Sequence, residues 1–344
     1  AEYLETRGIT PNILSKYGAG YSSSMFTALT ELGSQKGYDM ATMEKAGLIT
    51  RKEDGKIFDR FVNRITFPFY SLSGLVIGFT GRSLEKDTQC KYLNSPETPL
   101  FHKGKTLFGI YQARQEISKS DKCYLVEGQF DVLSFVQSGY PNTVCGSGTA
   151  LTLDQVRIIK KFTRNITAVY DGDAAGMKAS VRNMDIMLAE GMNVRAVLLP
   201  EGEDPDSFAR KMGTEKLAKF LKKQETDFIS FIYKAFESEM DDPIRKTEVL
   251  RIIAQSISVV PDKLQRQAYI VSLAERFNAD GELITNLVAE LQAVGKKNVP
   301  AQSTQPGLTG VEEAEELVKT GSKQVTLTWS VNRFSEGWGV CPVI

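Results

Sequence analysis

Residues 165–176 read NITAVYDGDAAG, and this stretch decides the fold. Its apolar run ends at two aspartates, Asp171 and Asp173, that are separated by a single glycine. A short apolar run bounded by turn residues predicts a buried β-strand. The segment that follows, GMKASVRNMDIMLAEG, has helical spacing and closes on Gly191, which predicts an α-helix. The stretch is therefore typical of a strand that runs directly into a helix.

The same alternation extends over residues 122–223. The predicted strands are CYLVEG, NTVCGSG, NITAVYDGD and VRAVLLPEGEDPD, and the predicted helices are FDVLSFVQSG, LTLDQVRIIKKF, GMKASVRNMDIMLAEG and KLAKFLKKQ. Thr152 and Gln155 have the spacing of a capping box at the start of the second helix. Strands and helices that alternate in this way predict a mostly parallel sheet with helices on both faces.

The rest of the chain has a different pattern. Residues 1–118 predict an α+β subdomain with short helices and a hairpin, RITFPFYSLSGLVIGFTGRSL, that turns at Ser71–Gly74. Residues 119–225 hold the α/β alternation, and residues 226–295 are helical throughout, which predicts a bundle. Residues 296–344 begin with a polar linker and include QVTLTWSVNRF, for which no element is predicted. The expected fold class is α/β plus α.

Composition narrows the class of protein. The 344 residues include four cysteines without a CxxC pair and one histidine, His102, which disfavours a zinc site and histidine-based catalysis. For His102 we expect a structural or substrate-contacting role. A reduced, cytosolic setting fits this cysteine usage. No apolar run reaches the roughly 18 residues of a membrane helix, and the charged N-terminus is unlike a signal peptide. Because the first residue is not Met, we expect a piece of a longer chain.

Charge is unevenly distributed although the formal net charge is zero. Residues 1–120 contain 16 Lys and Arg against 12 Asp and Glu, whereas residues 121–206 contain 8 against 12. A basic part beside an acidic part fits a protein that binds a polyanion together with metal ions. Solvated protein faces can have the same distribution, so the charges alone do not decide between these interpretations.

Acidic residues end three of the predicted strands, and ligands of open α/β sheets gather at such carboxyl ends. The first strand ends at Glu127, with Asp131 one helical turn later, the third ends at Asp171 and Asp173, and the fourth ends with Asp204 and Asp206. Each DxD pair would point both carboxylates to one side of an extended segment. A polar turn stays the alternative for any single pair. Three acidic ends together favour a bound cation, and carboxylates without His or Cys select Mg²⁺ or Mn²⁺.

The basic part contains RSLEKDTQCKYLNSPETPLFHKGK, in which cations alternate with aromatic and amide side chains. This pattern fits phosphate contacts combined with base stacking on a single strand of nucleic acid. A solvated loop has the same composition and remains the alternative. The candidate residues in this stretch are Arg82, Lys91, Tyr92, Asn94, Phe101, Lys103 and Lys105.

Together these segments resemble the polymerase core of bacterial DnaG-type primases. EGQFDV, YDGDAAG and LPEGEDPDSF resemble the three acidic motifs of the Toprim fold. YLETRGI, RITFP, GFTGR and KYLNSPET followed by FHKG resemble the N-terminal subdomain of that core. The resemblance covers roughly residues 1–295 and implies a Toprim sheet flanked by an N-terminal α+β subdomain and a C-terminal helical bundle.

The resemblance also implies a role for each candidate residue. Glu127, Asp171 and Asp173 would be catalytic, with Glu127 as a metal ligand or the acid/base group. The implied ligands of the divalent ions are Glu127, Asp131, Asp171, Asp173, Asp204 and Asp206. The implied contacts with template and nucleotide are Arg7, Arg82, Lys91, Tyr92, Asn94 and Lys103. We expect two or more Mg²⁺ or Mn²⁺ ions and no zinc in this piece.

The implied activity is template-directed synthesis of RNA primers. The implied partners are a single-stranded DNA template, ribonucleoside triphosphates and the RNA–DNA hybrid, without a membrane. The replicative helicase would bind only through a domain that we expect to be absent from this chain. Two alternatives stay open. One is another Toprim enzyme, such as a nuclease or a topoisomerase, which KYLNSPET disfavours. The other is a single-stranded DNA-binding scaffold without catalysis.

Overall fold

The computed structural model describes most of the chain, in the ranges 2–85, 88, 90–148, 150–172, 177–297, 328–334 and 337–343. Asp173 and residues 298–310 of the predicted linker lie outside these described residues. Contacts divide the chain into two units. Unit 1 comprises residues 1–113, 145–149 and 307–344, and unit 2 comprises residues 114–144 and 150–306. The predicted division into four segments stays a prediction.

Unit 1 combines short helices with an antiparallel sheet. The first helices are α1 (Glu2–Thr6), α2 (Pro11–Lys16), α3 (Ala28–Gln35) and α4 (Met40–Lys45), and α5 (Ile110–Ser120) begins in this unit. The strands are β1 (Gly20–Ser22), β2 (Ile49–Arg51), β3 (Ile57–Asp59), β4 (Arg64–Tyr70), β5 (Val76–Ser83) and β6 (Tyr92–Asn94). The order of the main sheet is β1-β4-β5-β6, and β4 pairs antiparallel with β5, which confirms the predicted hairpin.

Aromatic side chains hold the hairpin of unit 1 in place. Phe69 is fully buried, and its ring centroid lies 5.0 Å from that of Phe101 and 5.9 Å from that of Phe108. Burial of each such ring stabilises the fold by roughly 1.5–3 kcal/mol. Gly78 of β5 lies directly against Phe101, because a Cβ at this position would be 2.8 Å from the ring. The GFTGR motif therefore begins with glycine for a packing reason.

Unit 2 contains the predicted alternation of strands and helices. The strands are β7 (Cys123–Val126), β8 (Thr143–Cys145, whose last residue groups with unit 1), β9 (Asn165–Tyr170), β10 (Asn193–Leu198) and β11 (Thr226–Asp227). The helices that alternate with them are α6 (Gln129–Gln137), α7 (Leu153–Lys160), α8 (Met177–Ala189) and α9 (Pro205–Gln224). The predicted capping box is confirmed, since the Gln155 amide nitrogen donates to Thr152 Oγ1 and the Thr152 amide donates to Gln155 Oε1.

The sheet of unit 2 has the strand order β11-β10-β9-β7-β8. β9 pairs parallel with both β7 and β10, and only the short β11 is shown to pair antiparallel with β10. All four residues of β7 are buried, as a parallel strand covered on both faces requires. The expected α/β class is therefore confirmed. Because β7, β9 and β10 are neighbours, their carboxyl ends lie side by side.

One predicted boundary is wrong. The sequence predicts a fourth strand that extends through EGEDPD, but β10 ends at Leu198 and α9 already begins at Pro205. Pro205 occupies the first helical position, where its missing amide hydrogen is not needed, and the Asp204 side chain caps the helix by accepting from the Ser207 amide at 2.6 Å. Asp204 and Asp206 therefore stand at a helix start, not along a strand.

The predicted helical segment follows β11. Its helices are α10 (Phe228–Ala235), α11 (Pro243–Ser258), α12 (Lys263–Phe277) and α13 (Gly281–Lys297). Asp227, Asp242 and Asp262 each cap the helix that follows by accepting a backbone amide. α12 ends at Asn278 in the left-handed conformation, which favours a sharp stop. None of the described helices is long and apolar enough to cross a membrane.

The last described elements are two paired strands, β12 (Thr328–Phe334) and β13 (Gly337–Val343). They pair antiparallel, and β12 covers most of the stretch QVTLTWSVNRF for which the sequence predicts no element.

Candidate active site and nucleic-acid surface

The edge formed by the carboxyl ends of β7, β9 and β10 carries the predicted acidic residues of unit 2. Glu127 follows β7 directly and is exposed, and Asp171 follows β9 directly and is half-buried. Glu127 also lies near Tyr170, the last residue of β9. Burial raises the pKa of the Tyr170 hydroxyl, and the Glu127 carboxylate raises it further. The first two acidic motifs therefore come together as neighbouring strand ends.

Gly172 joins the loop after β9 to the loop after β10. Its amide donates to the Glu203 carbonyl at 3.3 Å. A Cβ at this position would lie 2.0 Å from the Pro200 carbonyl oxygen, so no larger residue fits without movement of the backbone. The glycine that separates Asp171 from Asp173 in the sequence therefore allows the two acidic loops to touch.

Asp131 lies close to three other carboxylates. Its Oδ2 accepts from the Gly128 amide at 2.7 Å, and its Oδ1 accepts from the Asp206 amide at 3.2 Å. Burial raises the pKa of the Asp131 carboxyl to about 8, and the negative charges of Asp204, Asp171 and Asp206 act in the same direction. The hydrogen bond from Gly128 lowers this pKa and only partly opposes the other effects. The carboxyl groups of the three acidic motifs therefore lie close enough to influence one another's protonation.

Asp204 and Asp206 do not share one side, contrary to the prediction from their spacing. Asp204 is exposed at the start of α9, whereas Asp206 is only 3% exposed. Asp206 accepts from Ser134 Oγ at 2.6 Å and forms an ion pair with Arg210 at 3.0 Å. The prediction fails because period-two spacing holds only for extended backbone, and these residues begin a helix.

Several features suit a divalent cation at this edge. The nearby side chains are carboxylates, the hard oxygen ligands that Mg²⁺ and Mn²⁺ prefer. Their mutual repulsion would be relieved by a positive ion. Within the described residues no three His, Cys, Asp or Glu side chains are already arranged as a metal centre, and Asp173 lies outside that part of the chain. The donor chemistry therefore fits a divalent ion, and the described geometry brings these donors to one edge.

In unit 1, Arg82 lies in a stack of aromatic and guanidinium groups. Its guanidinium carbon is 5.3 Å from the ring centroid of Tyr3 and 5.0 Å from that of Tyr92, and it also donates to the Tyr92 hydroxyl. Arg7 stacks on the Tyr3 ring, also at 5.3 Å. Such cation–π contacts contribute about 0.5–2 kcal/mol each. Arg82 is only 8% exposed, so in this stack it orients the more exposed Tyr92.

The remaining predicted residues of the basic surface lie at or near β6. Lys91 directly precedes this strand and is exposed. Asn94 Nδ2 donates to the Ser147 carbonyl at 2.5 Å, and Ser147 Oγ donates to the Lys103 carbonyl at 2.6 Å. His102 Nδ1 lies 3.1 Å from the carboxylate of Glu97, which also accepts from the Lys103 amide. The KYLNSPET and FHKG motifs are thus linked by hydrogen bonds within unit 1.

Three residues of these sites are not predicted from the sequence, namely Tyr3, Ser134 and Arg210. Tyr3 and Arg7 have helical i,i+4 spacing, as have Asp206 and Arg210, and this spacing could have indicated both contacts. No local signal connects Ser134 with Asp206, which is 72 residues away in the chain.

This acidic edge on a mostly parallel sheet places unit 2 among Toprim-type domains, and the family description "Toprim-like" matches residues 124–209. Residues 1–114 match "DNA primase catalytic core, N-terminal domain", and residues 237–282 match "DnaB-helicase binding domain of primase". A crystal structure of a DNA primase domain from Pseudomonas aeruginosa is 33% identical with a TM-score of 0.75, and covers 84% of this chain and 91% of that one. The chain belongs to the DnaG-type DNA primase family.

Two further relatives set the scope of this assignment. A DNA primase of Halalkalibacterium halodurans is 36% identical over 80% of this chain, and the aligned region is 46% of the relative. A structure described as the DnaG primase catalytic domain bound to ssDNA is 30% identical with a TM-score of 0.70, covering 80% of this chain and 89% of that one. The chain thus spans about half the length of the curated relatives it matches.

The family comparison corrects one prediction and supports another. From the sequence we expect the helicase-binding region to be absent, but the match at residues 237–282 shows that a segment of this description is present. That segment includes α11 and α12. Toprim-type domains and the primase family also imply the use of a divalent metal ion, in agreement with the carboxylate edge.

Proposed function

We propose that this chain synthesises RNA primers on single-stranded DNA by divalent-metal-dependent nucleotidyl transfer from ribonucleoside triphosphates. The observation that carries the proposal is the meeting of the acidic loops after β7, β9 and β10, with Gly172 in contact with the loop of Pro200 and Glu203. The match of residues 1–114 to a primase-specific domain disfavours another Toprim enzyme, such as a nuclease or topoisomerase. The proposed place of action is the replication fork in the cytoplasm.

The proposed reaction forms a bond between a ribonucleotide 3′-oxygen and the α-phosphorus of the next triphosphate, and breaks the bond from that phosphorus to pyrophosphate. Glu127 is assigned to accept the hydroxyl proton or to bind metal, because it is exposed at the end of β7. Asp171, Asp173 and Asp204 are assigned to hold two or more Mg²⁺ or Mn²⁺ ions. When bound, such ions lower the pKa of the hydroxyl and neutralise charge on the leaving pyrophosphate.

The direct test is incubation of the purified chain with single-stranded DNA, ribonucleoside triphosphates and Mn²⁺. We expect short products that alkali degrades, because they are RNA. Cleavage or relaxation of DNA without RNA products would support the alternative Toprim enzymes. DNA binding without either product would support the scaffold alternative.

Unit 1 is proposed to bind the template, nucleotides and the RNA–DNA hybrid through the basic residues near β6 and α1. Tyr92 is 39% exposed beside exposed Lys91, so a base-stacking ring and a phosphate-binding cation are adjacent. Arg7 stacks on Tyr3 and Arg82 stacks on Tyr92, which fixes the two rings. Hydrogen bonds of Asn94 and Lys103 with Ser147 order the neighbouring loop. The single-stranded DNA in the related structure agrees with this proposal.

Lys91→Ala should weaken single-stranded DNA binding and make it less sensitive to salt. Each phosphate contact to a single strand contributes about 0.7 to the slope of log K against log salt concentration, so the slope should become shallower by about that amount. Fluorescence anisotropy at several salt concentrations measures both quantities. Lys56→Ala is the matched control, since Lys56 is an exposed lysine of unit 1 that pairs with Asp54. An unchanged slope for Lys91→Ala would contradict the assignment.

The helicase is proposed to contact the segment that matches the helicase-binding description. The two most exposed large apolar side chains of this segment are Ile244 of α11, which is 71% exposed, and Leu264 of α12, which is 84% exposed. Exposed apolar side chains are common contact points between proteins. They are therefore the residues to test for binding of a replicative helicase.

Ile244→Asp and Leu264→Asp should each weaken binding of a replicative DnaB-type helicase by about tenfold or more, because truncation of a buried interface anchor costs about 2 kcal/mol. Val294→Asp is the control, since Val294 is 56% exposed on α13 outside the matched segment. Surface plasmon resonance with immobilised helicase measures the affinities. If Ile244→Asp and Leu264→Asp bound the helicase as tightly as Val294→Asp and the parent chain do, the contact would lie elsewhere.

A further inference from the structure

We propose that Asp131 and Asp206 are positioning residues that tie the start of α6 to the start of α9, with Arg210 as their anchor, and that neither residue is a metal ligand. This inference rests on the proposed metal-dependent function of the acidic edge. It divides the predicted ligands, because Glu127, Asp171 and Asp204, with Asp173, would then hold the ions.

Both oxygens of the Asp206 carboxylate accept from protein donors. Oδ1 accepts from Ser134 Oγ at 2.6 Å and from Arg210 Nε at 3.0 Å, and Oδ2 accepts from Arg210 Nη2 at 3.3 Å. The side chain of Asp206 is 4% exposed. A bidentate ion pair with a guanidinium is a strong interaction for a carboxylate. The positive charge of the guanidinium would also repel a metal ion at the same carboxylate. Asp206 therefore already has its counter-ion within the fold.

Asp131 continues this connection towards the catalytic edge. One of its oxygens accepts from the Asp206 amide and the other from the Gly128 amide. Gly128 directly follows Glu127, so the bridge fixes the backbone next to the proposed acid/base residue. A contact chain thus runs from Arg210 to Asp206, then to Asp131, and from there to the backbone beside Glu127.

Asp204 differs from Asp206 in its exposure and in the partners of its carboxylate. It is exposed, and its Oδ1 accepts from the Ser207 amide at 2.6 Å. Only two positions separate Asp204 from Asp206, yet the start of α9 turns one outward and the other into the fold. The DPD motif would therefore combine one ligand with one structural anchor.

Mn²⁺ titration of the full chain and its variants tests this division without any need for primer synthesis. Three variants test the anchor: Asp206→Asn, Arg210→Gln and the double variant Asp206→Asn/Arg210→Gln. A fourth, Asp171→Asn, removes a proposed ligand for comparison. Arg157→Gln is the control. Arg157 lies on α7 and forms a comparable guanidinium–carboxylate pair, in which its Nη2 is 2.9 Å from Glu190 Oε1. Thermal unfolding of each variant shows whether it is folded at the titration temperature.

If Asp206 is a positioning residue, Asp206→Asn and Arg210→Gln bind the same number of Mn²⁺ ions as the parent chain, with affinities within about threefold. Hydrogen exchange at the peptide that contains Gly128 then becomes faster in both variants and not in Arg157→Gln. In primer synthesis, kcat falls while KM for the nucleotide stays constant, and the double variant is no worse than the more impaired single variant.

The opposite pattern would overturn the proposal. Asp206→Asn would then lose an ion or bind Mn²⁺ more than tenfold more weakly, and Arg210→Gln would bind it more tightly because a competing positive charge is gone. A parent chain that binds no Mn²⁺ would overturn it as well. A parent chain that binds Mn²⁺ but makes no primers would refute the proposed function only, since the titration of the variants still decides the role of Asp206.

Discussion

Asp171→Asn should lower primer synthesis by about 10²–10³-fold while the affinity for single-stranded DNA stays within about twofold of the parent chain. The substitution keeps the shape of the side chain and removes its negative charge, next to the loop contact made by Gly172. Loss of one group that stabilises developing charge typically lowers kcat by about 10²–10³-fold. Asp171 lies at the end of β9 in unit 2, whereas the basic residues proposed to bind DNA belong to unit 1. A primer-extension gel and anisotropy binding together measure the two effects.

Asp154→Asn is the matched control for Asp171→Asn. Asp154 lies in the first turn of α7, in the same unit, and its carboxylate pairs with Arg157 at 3.3 Å on the surface. Exposed pairs of this kind contribute only about 0–1 kcal/mol, so synthesis should be unchanged. Full activity of Asp171→Asn would contradict the assignment of Asp171 as a catalytic metal ligand. Loss of DNA binding together with activity would indicate misfolding and not a catalytic defect.

Most of the fold could be predicted from the sequence because its elements have strong local signals. The apolar runs that end at Val126 and Tyr170 predict β7 and β9, and the capping box of Thr152 predicts the start of α7. Helical periodicity predicts the segment from α10 to α13. The meeting of Glu127 with Asp171 follows from parallel topology, since adjacent parallel strands end at one edge.

What the sequence could not predict depends on backbone direction and on distant contacts. The spacing of Asp204 and Asp206 predicts one shared side only if the backbone is extended, and Pro205 begins a helix there instead. Ser134 reaches Asp206 only because α6 packs against α9 in the folded unit. Asn94 likewise bonds with Ser147, 53 residues later. Such long-range contacts leave no periodic trace in the sequence.

The contact between the two acidic loops has a further testable consequence at Gly172. Gly172→Ala should lower the free energy of unfolding by about 1–3 kcal/mol, the usual effect of forcing a methyl group into a closely packed site. The added Cβ would stand 2.0 Å from the Pro200 carbonyl oxygen and 2.4 Å from its carbonyl carbon, so backbone, and not a flexible side chain, has to move. Because Asp171 is the preceding residue, primer synthesis should fall by about 10²-fold even where the protein stays folded, as a 1 Å misplacement at a reaction centre can cause. Thermal unfolding and primer-extension assays measure the two effects.

Gly281→Ala separates this local clash from the general effect of replacing a glycine. Gly281 stands at the start of α13, and a Cβ there would meet no atom within 4 Å. Its φ is not in the left-handed region, so alanine should be neutral or slightly stabilising through the smaller entropy of the unfolded chain. If Gly172→Ala matched Gly281→Ala in both stability and synthesis, the loops after β9 and β10 would not be in contact in solution. If only Gly172→Ala loses synthesis, the contact between the two loops is required for activity. The presence of Asp171 would then not be sufficient to bring the acidic motifs together.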